Sequence, residues 1–112
     1  MHELSVMQYV SRMTSSIAQE QHIPQVKLIV LQVGKMTGVE AKYAFQYWPE
    51  VIRGTALEGC ELKIEEEDAL VFCRECGTTF DPEPTNNRCP DCGERNFEII
   101  SGNHVLIKEL GY

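Results

Sequence analysis

Residues 73–77 read Cys-Arg-Glu-Cys-Gly and residues 89–93 read Cys-Pro-Asp-Cys-Gly, so two short cysteine pairs follow one another along the chain. Two intervening residues let a tight turn aim both sulfur atoms of a pair at one ion. The glycine that follows can adopt a positive φ, which turns backbone N–H groups towards the thiolates. Two such turns, here called knuckles, are typical of a tetrahedral four-cysteine site, most often for zinc. The predicted ligands are Cys73, Cys76, Cys89 and Cys92.

Paired cysteines have other uses, and these stay open at this point. Disulfide bonds would require an oxidising compartment, and no secretory signal is visible in the sequence. A redox-active Cys-x-x-Cys motif needs one pair at a strand–helix junction rather than two matched knuckles. Iron in a rubredoxin-like site has the same spacing, since spacing alone does not choose between the two metals.

The length of 112 residues allows one compact domain, or a small α/β domain with a metal-held appendage. Residues 69–102 have few apolar side chains, so a metal ion should supply much of the folding energy of this segment. We therefore expect an α/β domain formed by residues 1–68 and 103–112, and a zinc-binding domain formed by residues 69–102. No apolar run reaches the roughly 18 residues of a membrane span, and we expect a cytoplasmic protein without a membrane anchor.

The charge of the chain disfavours one common use of zinc ribbons. The formal net charge is −7, and residues 69–102 carry six acidic against three basic side chains. Nucleic-acid binding needs a basic face, so we predict no nucleic-acid partner. The acidic run just upstream is offset only by Lys63 and is expected to be a solvated strand edge and linker. Its members are Glu58, Glu61, Glu65, Glu66, Glu67 and Asp68.

Hydrophobic periodicity predicts an α+β fold in which two helices pack on a small three-stranded mixed sheet, with a four-cysteine zinc-ribbon domain inserted. Apolar residues at three- and four-residue spacing predict a first helix over residues 4–21. Residues 26–33 are rich in β-branched side chains and predict a central strand. Thr37 and Glu40 have capping-box spacing, so a second helix should start near Val39, and Pro49 should kink or split it. Further strands are predicted at 60–67, 96–100 and 104–109, the last of which returns to the main sheet.

The first three residues, Met1-His2-Glu3, form a second candidate metal site. The terminal amine of Met1, the His2 amide nitrogen and the His2 imidazole can form adjacent chelate rings on one ion. Nitrogen ligands in a plane suit Ni(II) or Cu(II). The first N–H groups of the helix that begins here have no intrahelical acceptor, and the Glu3 carboxylate suits the positive end of the helix dipole.

The opening tripeptide together with the two knuckles resembles the hydrogenase-maturation nickel metallochaperones, the HypA/HybF family. The resemblance extends over essentially the whole chain. It implies a nickel site at His2, with Glu3 and the Met1 amine beside it, and structural zinc on the four cysteines. It also implies delivery of Ni²⁺ cargo to the [NiFe]-hydrogenase large subunit together with a nickel-associated GTPase, and in some members service to urease maturation proteins. Some members carry a histidine beside a knuckle cysteine, and this sequence has none.

A four-cysteine metal site also occurs in proteins with other functions. A zinc-ribbon adaptor that binds protein partners without nickel cargo is the main alternative. An enzyme is not expected, because a metal held by four cysteines leaves no open position for water.

Cys60 should be a buried thiol that behaves as a small apolar side chain, and His104 should lie on a strand rather than on metal. The chain could act as a monomer or a dimer.

Overall fold

The computed structural model describes residues 2–112, which form two compact units. The first unit takes in the chain up to Gln32, Gly38–Glu65 and Leu106–Tyr112, and the second takes in Val33–Thr37 and Glu66–Val105. Met1 lies outside the described residues, and with it one predicted nickel ligand. None of the helices within residues 2–112 has the length and apolar character needed to cross a membrane.

The elements follow the order α1 (Glu3–Glu20), β1 (Leu28–Gly34), α2 (Ala41–Ile52), β2 (Glu61–Glu67), β3 (Leu70–Cys73), β4 (Thr79–Phe80), β5 (Phe97–Ser101) and β6 (Val105–Gly111). The predicted α+β class, with two helices and a three-stranded main sheet, is confirmed. The sequence did not predict β3 and β4, because strands of four and two residues are too short to show a period-two pattern.

Helix α1 buries one apolar stripe, as its periodicity predicts. Met7, Val10 and Thr14 are buried at three- and four-residue spacing. Leu4 has the spacing of this stripe but is 43% exposed, and Glu3, one residue earlier, is buried instead. After the helix, His22 adopts a left-handed conformation (φ 56°) that turns the chain away from the helix axis.

The main sheet has the order β2-β1-β6, so β1 is its central strand, as predicted. Lys27 N–H donates to Gly111 O (2.7 Å) and Gly34 N–H donates to His104 O (2.9 Å), so β6 runs antiparallel to β1. The predicted return of the last strand to this sheet is therefore confirmed. Lys108 Nζ lies 2.6 Å from a carboxylate oxygen of Glu65, and this ion pair joins the two outer strands across β1.

Helix α2 departs from two expectations. The predicted capping box is wrong: Glu40 occupies the N-cap without a side-chain hydrogen bond, and the Thr37 hydroxyl donates instead to Gly34 O (2.7 Å) within the preceding turn. Pro49 lies inside one continuous helix and does not split it. Tertiary contacts offset the hydrogen bond that proline cannot make. Among them, the buried Trp48 indole N–H donates to Cys60 O (2.9 Å).

The second unit has its own sheet, with the order β4-β3-β5. Val71 of β3 pairs with Phe80 of β4 and with Ile99 of β5, both in antiparallel register. A small buried cluster lies on this sheet, with Met36 and Phe97 packed against it. The members of the cluster are Val71, Cys73, Phe80 and Cys89.

Three backbone segments cross closely within the second unit. A Cβ added to Gly34 would lie 2.1 Å from Gly102 O, and one added to Gly102 would lie 2.6 Å from Ala69 Cα. Gly102 also has a φ of +91°, which side-chain-bearing residues rarely adopt. Glycine is therefore required at both positions by space, and at Gly102 by conformation as well.

Thr14 gives a stability prediction for the first unit. Its side chain is fully buried, and its hydroxyl has no hydrogen-bond partner among the described residues. Replacing a buried unpaired hydroxyl with a methyl group removes a desolvation cost, so Thr14→Val should raise the free energy of unfolding by about 1 kcal/mol. Denaturant unfolding of the two proteins measures the difference.

Thr55→Val is the matched control for Thr14→Val. The Thr55 hydroxyl donates to Ile52 O (2.7 Å) and accepts from Leu57 N–H (3.1 Å), so its loss should lower stability. A Thr14→Val protein that is less stable than wild type would contradict the assignment of an unpaired hydroxyl.

Candidate metal centre

The four predicted cysteine ligands come together in the second unit. Their sulfur atoms all lie within 4.8 Å of one another. Cys73 Sγ lies 3.6 Å from Cys92 Sγ, and Cys76 Sγ lies 3.4 Å from Cys89 Sγ, so the closest contacts join different knuckles. A tetrahedral ion with metal–sulfur bonds of about 2.3 Å requires sulfur–sulfur separations of about 3.8 Å. The donor set therefore fits one tetrahedral metal ion such as Zn²⁺.

The two knuckles have the same pattern of backbone hydrogen bonds. Gly77 N–H donates to Cys73 O (2.9 Å), and Cys73 N–H donates to Thr78 O (2.8 Å). The second knuckle repeats both bonds at 2.9 Å, from Gly93 N–H to Cys89 O and from Cys89 N–H to Glu94 O. Gly77 and Gly93 have φ angles of 80° and 76°, as the glycine after each pair predicts.

Each knuckle contributes one buried and one exposed sulfur ligand. Cys73 and Cys89 are buried and make up half of the four-residue cluster of the second unit, whereas Cys76 and Cys92 are exposed. Such a small apolar cluster provides little folding energy. We therefore expect the folding of this unit to be coupled to metal binding.

The electrostatics of the sulfur atoms call for a cation. A backbone hydrogen bond with Glu94 lowers the pKa of Cys92, but partial desolvation of the sulfur and the three neighbouring thiols outweigh it and raise that pKa to about 12. Four thiolates this close together ionise fully only when a positive ion compensates their charge.

Cys60 lies outside the four-sulfur cluster. It is buried, and burial followed by the charge of Glu61 raises the pKa of its thiol. Its Sγ lies 3.6 Å from Glu61 O, a weak hydrogen bond to the neighbouring residue. The prediction of a buried thiol that serves as a small apolar side chain is confirmed.

His2 and Glu3, from the second candidate site, have different environments. His2 is exposed and occupies the N-cap of α1 with a left-handed backbone (φ 64°), without a side-chain capping bond. Glu3 is only 7% exposed, and its Oε2 accepts a hydrogen bond from Glu40 N–H (2.9 Å). The positive amino terminus, and then this bond, lower the pKa of Glu3 to about 2. The Glu3 side chain therefore joins the start of α1 to the start of α2.

Sequence reasoning missed three residues around these sites. Thr78 and Asp91 contact the knuckles, with the Thr78 hydroxyl donating to Asp91 Oδ2 (2.5 Å), and Glu40 contacts Glu3. Polar residues inside or next to each Cys-x-x-Cys pair were a signal for the first two. No pattern in the sequence connects Glu3 with Glu40, which lie 37 positions apart.

The fold and the four-sulfur cluster define a small α+β metal-binding protein. The chain belongs to the family described as hydrogenase/urease nickel incorporation, metallochaperone HypA, which it matches over residues 1–112. The family is thus one of nickel metallochaperones, and the comparisons give no support to the alternative of a zinc-ribbon adaptor.

Individual relatives match the chain over nearly its full length. It is 33% identical to the hydrogenase maturation factor HypA of Aquifex aeolicus, over 98% of this chain and 96% of that protein. It is 34% identical to the protein of the same name from Beijerinckia indica, over 98% and 97%. The solution structure of the nickel metallochaperone HypA from Helicobacter pylori shares the fold, with a TM-score of 0.74, 20% identity, and coverage of 98% and 96%.

Replacing one buried sulfur ligand should release the bound metal. Cys89→Ala removes a ligand and part of the buried cluster, so this variant should purify with no bound metal and with the sheet of the second unit unfolded. Cys60→Ala is the matched control, because that buried cysteine lies outside the cluster. Elemental analysis and amide hydrogen exchange provide the two readouts. Equal metal contents in the two variants would contradict the assignment.

Proposed function

We propose that this chain is a nickel metallochaperone that binds Ni²⁺ at its amino terminus and delivers it for [NiFe]-hydrogenase maturation. The observation that carries the proposal is the exposed His2 at the start of α1, in a chain that matches a nickel-incorporation family from end to end. An exposed site with few side-chain ligands favours exchange of the ion over permanent retention. Such exchange is what a carrier of metal cargo needs.

The nickel ligands proposed are the Met1 amine, the amide and imidazole nitrogens of His2, and Glu3. Adjacent nitrogen donors of this kind suit the planar geometry that Ni(II) prefers. The partly buried hydrogen bond from Glu40 N–H to the Glu3 carboxylate supports the proposal, because it fixes the first residue of α1 beside His2. His104 was expected on a strand but lies just before β6. It is not included, because the proposed nitrogen donors are adjacent in the sequence at the amino terminus.

The four cysteines are proposed to hold structural zinc rather than cargo. Four sulfur ligands saturate a tetrahedral ion and leave no position for exchange. The nickel-binding domain would then comprise residues 1–68 and 103–112, and the zinc-binding domain residues 69–102. Iron at the same site would give a coloured protein, so the absorption spectrum of the purified protein separates the two metals.

The partners proposed are the nickel-associated GTPase of hydrogenase maturation, the [NiFe]-hydrogenase large subunit, and urease maturation proteins. The family description, which names both hydrogenase and urease, supports this set. We assign no catalytic activity to the chain, so nucleotide hydrolysis belongs to the GTPase. The net charge of −7 supports the absence of a nucleic-acid partner. The proposed location is the cytoplasm, without membrane attachment, as a monomer or a dimer.

Removing the His2 imidazole should abolish tight nickel binding. In untagged, zinc-loaded protein, His2→Ala should weaken Ni²⁺ affinity by more than the roughly 10–100-fold that loss of an outer partner of a metal ligand costs. Isothermal titration calorimetry measures the affinity, and elemental analysis should find the same zinc content as in wild type. His104→Ala is the matched control, an exposed histidine expected to leave nickel binding unchanged. Equal affinities of His2→Ala and wild type would discard the amino-terminal site.

Nickel affinity should decrease as the pH is lowered from 7.5 to 5.5. Protons compete with nickel for nitrogen donors, and imidazoles in general titrate near pH 6.5. Glu3 should not contribute to this change. A carboxylate with a lowered pKa favours the folded state above its unfolded pKa and loses that effect only near its folded value of about 2. An affinity that stays flat over this range would argue against nitrogen ligation.

A further inference from the structure

We propose that Thr78 and Asp91 form a hydrogen-bonded clasp, which holds the two cysteine knuckles together on the exposed side of the metal site and slows release of the metal. The inference rests on the proposed zinc site and goes beyond it. It assigns two residues that do not bind the metal to the control of how long the metal stays bound.

The clasp joins the two knuckles directly. The Thr78 hydroxyl donates to Asp91 Oδ2 over 2.5 Å, a short bond to a charged acceptor. Thr78 lies two residues after Cys76, and Asp91 immediately precedes Cys92. Each partner in this hydrogen bond is therefore attached to the chain beside one of the two exposed sulfur ligands.

The clasp lies beside the two sulfur ligands that are not held in place by packing. The buried ligands Cys73 and Cys89 are 1% and 3% exposed and are fixed by packing in the apolar cluster. The exposed ligands Cys76 and Cys92 have no comparable packing. A metal ion leaves when its sulfur ligands separate, and the exposed pair can do so without disturbing the cluster. A bond between their flanking residues opposes this movement.

The Thr78 hydroxyl also determines whether the Cys76 sulfur receives a hydrogen bond. Thr78 Oγ1 lies 3.4 Å from Cys76 Sγ, and its single proton points to Asp91. The sulfur of a metal-bound Cys76 therefore faces a lone pair of this oxygen rather than a donor. Without Asp91 the hydroxyl would turn and donate to the sulfur, which reduces the electron density that the sulfur gives to the metal.

The second knuckle offers a natural comparison. Its backbone repeats that of the first, and Glu94 occupies the place that corresponds to Thr78. Glu94 is exposed, and its side chain has no hydrogen bond or ion pair among the described residues. Glu94→Gln thus removes one negative charge from the same knuckle as Asp91 without touching the clasp.

The test is the rate of zinc transfer from the full-length protein to an excess of a chromogenic chelator. Thr78→Val and Asp91→Ala should each release zinc about tenfold faster than wild type, within the range for loss of an outer partner of a metal ligand. The double variant should be no faster than either single variant, because both remove the same bond. Thr78→Ser keeps the hydroxyl and should restore the wild-type rate. Glu94→Gln and Thr85→Val, controls for charge and for a threonine hydroxyl elsewhere in the unit, should leave it unchanged.

A spectroscopic readout separates the clasp from general loosening of the fold. With Co²⁺ in place of zinc, Asp91→Ala should move the thiolate-to-cobalt charge-transfer absorption to higher energy, because the freed hydroxyl then donates to Cys76 Sγ. Adding Thr78→Val should reverse the shift. An unmoved absorption, or equal release rates in all variants that contain zinc, would overturn the clasp alone. Wild-type protein without zinc on its cysteines would overturn the proposed zinc site as well.

Discussion

Four sulfur atoms within 4.8 Å of one another are the constraint on which the second unit depends. Two of them, Cys73 and Cys89, belong to the buried cluster of this unit, and the other two, Cys76 and Cys92, face solvent. Their charges repel unless a cation lies between them. A cation held by these sulfurs would therefore stabilise the fold of this unit, which has little apolar core of its own.

In the first unit, by contrast, the proposed nickel ligand His2 is exposed to solvent. Helix α1 buries Met7, Val10 and Thr14, so its start is held by ordinary packing. The Glu3 carboxylate adds a bond to Glu40 N–H at the start of α2, while His2 stays in solvent. A fixed helix start with an exposed histidine suits an ion that must be bound and then given up. Four sulfur ligands, two of them buried, suit the structural ion proposed for the second unit.

The sequence predicted the parts of this protein that have a strong local signal. The Cys-x-x-Cys-Gly repeats determined the four-sulfur cluster, and β-branched residues marked the central strand β1. The capping box at Thr37 failed because the hydroxyl found a nearer acceptor in Gly34 O. Contacts between residues far apart in the chain leave no pattern in the sequence, so they could not be predicted. The Glu3–Glu40 bond and the close approach of Gly34 to Gly102 depend on how the chain returns on itself.

The central claim is that two metal ions occupy separate sites with different ligands. X-ray absorption at the nickel and zinc edges of one doubly loaded, untagged sample tests it most directly. The account predicts nickel surrounded by nitrogen and oxygen only, with an imidazole contribution, and zinc surrounded by four sulfurs at about 2.3 Å. Sulfur in the nickel shell, or fewer than four sulfurs around zinc after nickel is added, would contradict it.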